Sequence, residues 1–152
     1  MTNVPPISGG MELDMKIMVS ACLLGENCKY NGGNNKSSKV LEFIKGHEVI
    51  PVCPEVLGGL PTPRVPAEIV NGVVKNQKGE SVDAQFRSGA QIALELAKKE
   101  KIDFAILQSR SPSCGVNQIY DGTFSGSKIK GQGVFATLLS QEDIKIIDVE
   151  DL

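Results

Sequence analysis

The chain has 152 residues, enough for about one domain, and 41% of them are hydrophobic and 22% charged. These fractions are typical of a globular protein, and a net charge of −2 argues against a surface built for nucleic acid or for a membrane. We therefore expect no nucleic-acid polymer and no membrane among its partners. A homodimer is compatible with the sequence, which leaves the oligomeric state open.

The N-terminal segment predicts no targeting to a membrane or to the outside of the cell. Its first ten residues lack the basic start and the apolar stretch of a secretion signal. Residues 1–14 are interpreted as a disordered extension, or one introduced by cloning, and residues 15–152 as a single domain. We expect a cytoplasmic protein, in which four cysteines act as ligands or reactive groups; in an oxidising compartment they could form disulfides.

Apolar runs and periodic patterns predict the following elements in chain order. The first half holds strands at Lys16–Ser20 and Glu48–Val52, a helix at Ser37–Lys45 capped by Ser37 or Ser38, and a hairpin within Ala67–Asp83. The second half holds a helix from its cap Asp83 to Lys99, a strand at Asp103–Leu107, a helix at Gly131–Ser140 and a strand at Ile144–Val149. We predict no regular element in the Pro- and Gly-rich Cys53–Pro66 or in the long loop Gln108–Lys130.

This alternation of strands and helices predicts a three-layer α/β domain. Its mainly parallel sheet has four strands in the order 2-1-3-4, with a small β-hairpin as an excursion. Ligands of such sheets bind outside the carboxyl ends of the strands, at the point where the strand order reverses. The expected crevice therefore lies between the first and third predicted strands.

Three cysteines follow three of these strands. Cys22 comes after the first strand, Cys53 directly after the second, and Cys114 in the loop after the third. Three thiolates that converge on a cleft can hold a metal ion or an iron–sulfur cluster and leave one coordination position open. Each cysteine alone could also be a core residue, because free cysteines are often buried.

The cysteines lie in three segments that together resemble the thiouracil desulfidase (TudS) family. The segments are Ser20-Ala-Cys-Leu-Leu-Gly25, Cys53-Pro-Glu-Val-Leu-Gly-Gly-Leu60 with its continuation to Glu68, and Ser109-Arg-Ser-Pro-Ser-Cys-Gly115. They occur in the family's order on three separate loops. The resemblance spans Lys16 to Val149, which is nearly the whole chain.

The resemblance implies an enzyme that removes sulfur from a small thiolated base such as 2-thiouracil, giving the oxo product and hydrogen sulfide. The cofactor would be a [4Fe-4S] cluster on Cys22, Cys53 and Cys114, with one iron open to the substrate. Glu55 would be the acid/base carboxylate, and the assisting hydroxyl would belong to Ser111 or Ser113. The net reaction is a hydrolysis that needs no electron donor.

Simpler roles for several of these residues stay open. Glu55 fits a solvated loop acid, and the two serines fit turn residues that bond the backbone. Arg64 is interpreted as a substrate-binding residue or as the partner of Glu68 in a salt bridge. The Gly131-Gln132-Gly133 segment fits an anion site at a helix start, or close packing.

Two further kinds of protein remain as alternatives. All four cysteines could close a structural zinc site, although the spacing from Cys22 to Cys28 is wide for a zinc knuckle. The chain could also be a cluster-bearing regulator or sulfur carrier without catalysis. The resemblance gives no role to Cys28, which as a fourth ligand would block the open iron.

Overall fold

The computed structural model describes residues 14–152, so the predicted extension at 1–14 lies outside the described residues except for Asp14. Its elements up to the long central helix are β1 Lys16–Ser20, a 3-10 helix Ala21–Leu24, α1 Ser38–Phe43, β2 Glu48–Val52, α2 Pro54–Leu57, β3 Ala67–Val70, β4 Val73–Asn76 and α3 Asp83–Glu100. The remaining ones are β5 Phe104–Leu107, β6 Gln118–Tyr120, β7 Lys128–Lys130, α4 Val134–Gln141, β8 Ile146–Asp148 and a 3-10 helix Val149–Asp151.

The central sheet confirms the predicted topology. Its strand order is β2-β1-β5-β8, and all three neighbouring pairs are parallel. Val19 of β1 lies opposite Pro51 on one side and Ile106 on the other. The carboxyl ends of β1, β2 and β5 therefore face the same edge.

Helices cover both faces of this sheet, which gives the predicted three layers. Met18 and Ala105 pack on one face with the core of α3 and α4, including Phe86. Ile17 and its neighbours on the other face pack against Val40 of α1. Consecutive residues of a strand point to opposite faces of the sheet. Because helices cover both faces, residues that point to either face are apolar, which makes the strand a continuous apolar run.

The prediction of an irregular segment at Cys53–Pro66 is wrong at its start, where α2 forms. Pro54 is the first residue of this helix, a position at which its missing N–H costs no hydrogen bond. A Cβ on Gly89 of α3 would overlap the carbonyl oxygen of Pro54. Glycine thus lets α2 lie directly on α3, which fixes the start of the Cys53 loop.

The long loop Gln108–Lys130 also contains structure that the sequence did not indicate. β6 and β7 pair antiparallel within it. Glu68, at the edge of the β3–β4 hairpin, accepts hydrogen bonds from the backbone N–H groups of Gly122 and Phe124. The two hairpins are thereby held together beside the cleft.

The helix starts differ in how well they were predicted. Ser37 caps α1 as expected, since its side chain accepts a hydrogen bond from Val40 N. Asp83 is not the cap of α3: Val82 holds that position, and the Asp83 carboxylate accepts from Val74 N in the hairpin.

Within residues 14–152, helices long and apolar enough to cross a membrane are absent.

Candidate active site

The three cysteine loops meet at the carboxyl edge of the sheet. Cys22 lies in the 3-10 helix after β1, Cys53 caps α2 after β2, and Cys114 lies in the loop after β5. All three line one cavity of about 790 Å³, which Cys28 also lines. The four thiols are free, so the strand topology brings together residues far apart in sequence without disulfides.

Cys22 is held by the loop that follows it. Its carbonyl oxygen accepts a hydrogen bond from Asn35 N, and Asn35 Nδ2 lies 3.6 Å from its Sγ. Burial raises the pKa of the Cys22 thiol, while the Asn35 hydrogen bond opposes the shift. The charge of Cys53, which lines the same cavity, raises it further.

Cys53 has the most acidic thiol of the site. The hydrogen bond it shares with Cys28 lowers the pKa of Cys53 to about 7, and the Val56 N–H at the start of α2 acts in the same direction. The same hydrogen bond raises the pKa of Cys28. Cys53 therefore loses its proton more readily than Cys28. In the neutral form, Cys53 Sγ lies 3.9 Å from the carbonyl oxygen of Cys28, to which it donates.

The loop that carries Cys114 is held by the start of α4. Val134 N donates to the carbonyl oxygen of Pro112, and Phe135 N donates to that of Ser113. A Cβ on Gly133 would lie 2.5 Å from the carbonyl carbon of Ser113. The glycines before α4 therefore serve close packing, because the helix N–H groups bind this loop and not an anion.

Cys114 is the most enclosed of the thiols. Burial raises the pKa of the Cys114 thiol to about 12, although hydrogen bonds with Ser20 and Ser113 lower it. Ser113 Oγ lies 3.8 Å from its Sγ. A thiol in this setting is protonated at neutral pH unless a cation binds it.

A chain of hydrogen bonds runs beside the thiols from Ser111 to Glu55. Ser113 Oγ donates to Glu55 Oε2 at 2.8 Å, and the two serine hydroxyls lie 2.9 Å apart. Since the single hydroxyl proton of Ser113 points to Glu55, Ser111 is the donor between the serines. Ser111 Oγ in turn accepts from the backbone N–H groups of Ser113 and Cys114 at 3.0 Å each. The chain orients every hydroxyl proton toward the carboxylate.

Arg64 holds the other side of this carboxylate. Its Nε donates to Glu55 Oε1 at 3.0 Å, and the side chains of Arg64 and Glu55 are only 7% and 15% exposed. Three further bonds go to the carbonyl oxygens of Pro61 and Cys28 and to Thr62 Oγ1. The alternative salt bridge of Arg64 with Glu68 is wrong, because the Glu68 carboxylate binds the 122–124 backbone.

The donor set fits an iron–sulfur cluster. Three soft thiols share one cavity, and hydrogen bonds from Asn35 Nδ2 and Val56 N reach the sulfurs of Cys22 and Cys53, as is usual around cluster ligands. Within residues 14–152, no three His, Cys, Asp or Glu side chains are close enough together to hold a single metal ion. A cluster places each thiolate on a different iron, so its ligands do not have to converge on one point.

Two polar residues of the cavity were not predicted from the sequence. Asn35 lies thirteen positions after the cysteine it contacts. Gln108 is the first residue after β5, half-buried on the cavity wall. Its position directly after a buried strand was the available signal, because ligand-contacting residues of parallel sheets occur there.

The sheet and the site define an α/β protein with a thiol-lined cavity and a hydrogen-bonded carboxylate. A family model described as 2-thiouracil desulfurase matches residues 17–151, and the chain belongs to this family. The family membership predicted from the three motifs is thereby confirmed.

Two relatives match nearly the whole chain. The [4Fe-4S]-dependent thiouracil desulfidase TudS superposes with a TM-score of 0.86 at 40% identity, covering 91% of this chain and 93% of that one. The uncharacterized protein YbbK of Bacillus subtilis (strain 168) is 40% identical over 146 residues, which are 90% of this chain and 97% of YbbK.

Proposed function

We propose that this protein hydrolyses a thiolated nucleobase of the 2-thiouracil type, replacing the thione sulfur by oxygen and releasing hydrogen sulfide. The observation that carries the proposal is the Ser111–Ser113–Glu55 hydrogen-bond chain next to three free thiols in one cavity. The family and the [4Fe-4S]-dependent neighbour support it. The atoms balance, because a thiocarbonyl and water give a carbonyl and hydrogen sulfide with no electron donor.

Cys22, Cys53 and Cys114 would hold a [4Fe-4S] cluster. When bound, it would supply a Lewis-acidic iron with affinity for the soft sulfur of the substrate. Cys28 would remain a free thiol beside the cluster, and three cysteine ligands would leave one coordination position available. A reducing compartment such as the cytoplasm suits four free thiols.

Glu55 would act as the general base. Each of its carboxylate oxygens accepts one hydrogen bond from the protein, from Arg64 or from Ser113, and so retains lone pairs for a water molecule. A water bonded there would lose its proton to Glu55 as it attacks the thione carbon. The carboxylate would then pass this proton, and afterwards the proton of the new hydroxyl group, to the departing sulfur, so that both water protons leave in hydrogen sulfide.

The serines and Arg64 would hold this carboxylate in position through hydrogen bonds. Arg64 binds one oxygen of the Glu55 carboxylate, and its positive charge balances the carboxylate's negative charge in a partly enclosed site. The serine chain fixes the second oxygen and offers a path along which a proton can move between Ser111 and Glu55. A direct contact of Arg64 with the substrate remains a prediction.

The reaction itself is the most direct test of the function. Cluster-loaded protein, prepared without oxygen, is mixed with 2-thiouracil in water enriched in 18O and without reductant. We expect uracil that carries one 18O atom and an equal amount of sulfide. Turnover that requires a reductant, or uracil without the label, would contradict hydrolysis, and the absence of uracil would contradict the desulfidase function.

A further inference from the structure

Gln108 has unused hydrogen-bonding capacity in the wall of the cavity. Its carboxamide nitrogen makes one long contact, 3.4 Å to the carbonyl oxygen of the adjacent Ser109. Among the residues that the structure describes, no donor reaches its carboxamide oxygen. A half-buried amide of this kind gains from a partner that supplies both a donor and an acceptor.

Hydrogen bonds hold the backbone at Gln108 in place, although its side chain makes only the long contact with Ser109. Its backbone N donates to Ser20 Oγ at 3.0 Å, which ties it to the end of β1 just before Cys22. The following residue, Ser109, donates to the buried Asp148 carboxylate at 2.5 Å. Gln108 is thus presented on rigid backbone at the edge where the cysteine loops meet.

The neighbouring polar side chains of the inner cavity already have partners. Glu55 and Arg64 bind each other, Glu68 binds the 122–124 backbone, and Asn76 binds Glu80. The remaining cavity glutamine, Gln77, is exposed at the rim. Asn35, the other half-buried carboxamide of the cavity, uses its nitrogen on Cys22 Sγ. Gln108 therefore offers a ligand both a donor and an acceptor, the donor being engaged only in the 3.4 Å contact with Ser109.

Building on the proposed function, we infer that Gln108 recognises the N–H and C=O groups that lie side by side on the lactam edge of a thiopyrimidine. A carboxamide is complementary to that edge: its oxygen accepts from the ring N–H and its nitrogen donates to the ring carbonyl. Gln108 thereby selects oxo-thio pyrimidines over thioamides without this pair. The ring nitrogen on the other side of the thiocarbonyl is left free to carry a substituent.

The experiment measures uracil binding by calorimetry on the cluster-loaded protein, together with kcat/KM for 2-thiouracil and for its analogue methylated at the nitrogen between thiocarbonyl and carbonyl. Gln108→Leu removes both hydrogen bonds, and Gln108→Glu keeps the shape but removes the donor. Gln77→Leu makes the same change at the exposed rim. We expect both Gln108 variants to bind uracil about tenfold more weakly, and Gln77→Leu to bind it normally.

The methylated analogue separates recognition from a general loss of activity. The wild type is expected to prefer 2-thiouracil over it by about tenfold, and Gln108→Leu to lose this preference. Uracil binding and substrate preference that are unchanged in both variants, or no uracil binding by the wild type, would overturn the inference. If the wild type binds uracil through Gln108 but converts no 2-thiouracil, the inference stands and the proposed function fails.

Discussion

The hydroxyl of Ser113 donates a 2.8 Å hydrogen bond to the carboxylate of Glu55, across 58 positions of sequence. One residue neighbours Cys114, and the other lies two positions after Cys53. The parallel strand order brings these loops to the same edge of the sheet, since β2 and β5 both pair with β1. The same fold that gathers the thiols thus assembles the carboxylate and its hydroxyl donor.

Glu55→Gln is expected to lower kcat for 2-thiouracil by at least about 100-fold, because the amide cannot accept a proton from water. Iron content and the absorbance of the cluster should stay at wild-type values, since Glu55 is not a ligand. Glu42→Gln, in the exposed ion pair with Lys45, is the matched control and should be fully active. Turnover by Glu55→Gln within about threefold of wild type would remove Glu55 from the mechanism.

The two serines are expected to differ in their effects. Ser113→Ala removes the donor to Glu55 and should lower kcat about tenfold or more with little change in KM. Ser111→Ala also leaves two backbone N–H groups without their acceptor, which should cost about 1–3 kcal/mol in the free energy of unfolding.

Steady-state kinetics and urea unfolding measure these effects, with Ser140→Ala on the exposed end of α4 as the control. Equal stability of the Ser111→Ala variant and the wild type would show that the Ser111 hydroxyl does not hold the Cys114 loop.

Arg64→Ala is expected to destabilise the protein by about 3 kcal/mol, because it leaves the enclosed Glu55 carboxylate without its partner. The exposed pair of Arg87 and Asp83 gives the comparison: Arg87→Ala should cost less than about 1 kcal/mol. Urea unfolding of the cluster-free protein measures both. Equal costs for the two variants would contradict the assigned role of Arg64.

Iron uptake is expected to strengthen as the pH rises. Burial raises the pKa of the Cys114 thiol to about 12 and also raises that of Cys22, so both are protonated at neutral pH in the cluster-free protein. Iron binds thiolates, and assembly must therefore release these protons. Reconstitution with limiting iron at pH ~7 and ~8.5 should give more cluster at the higher pH, whereas an affinity that falls with pH would contradict the assignment.

The sequence predicted the central sheet because buried parallel strands are continuous apolar runs, as in residues 17–19 of β1 and in β5 Phe104–Leu107. It also predicted which loops carry the cysteines. It missed α2, since four residues that begin with Pro54 have no periodicity to detect. The hairpin of β6 and β7 was missed for a similar reason, because three-residue strands are too short to show alternation.

The partner of Arg64 could not be read from the sequence either. Glu68 is nearer in the chain, but the backbone places Glu55 beside the guanidinium and turns Glu68 toward the N–H groups of Gly122 and Phe124. Such choices depend on how loops fold in three dimensions. The availability of the Gln108 carboxamide could not be predicted for the same reason, because only the structure shows which of its polar neighbours already have hydrogen-bond partners.

Iron content after reconstitution shows whether Cys22, Cys53 and Cys114 hold a [4Fe-4S] cluster without Cys28. Wild type and the single alanine variants of Cys22, Cys28, Cys53 and Cys114 are reconstituted without oxygen, and iron per chain and the absorbance near ~400 nm are measured. We predict that wild type and Cys28→Ala hold about four irons per chain and that the other three variants lose them. Stoichiometric zinc without iron, with Cys28 as essential as the other cysteines, would rule out the three-cysteine cluster and indicate a structural metal site.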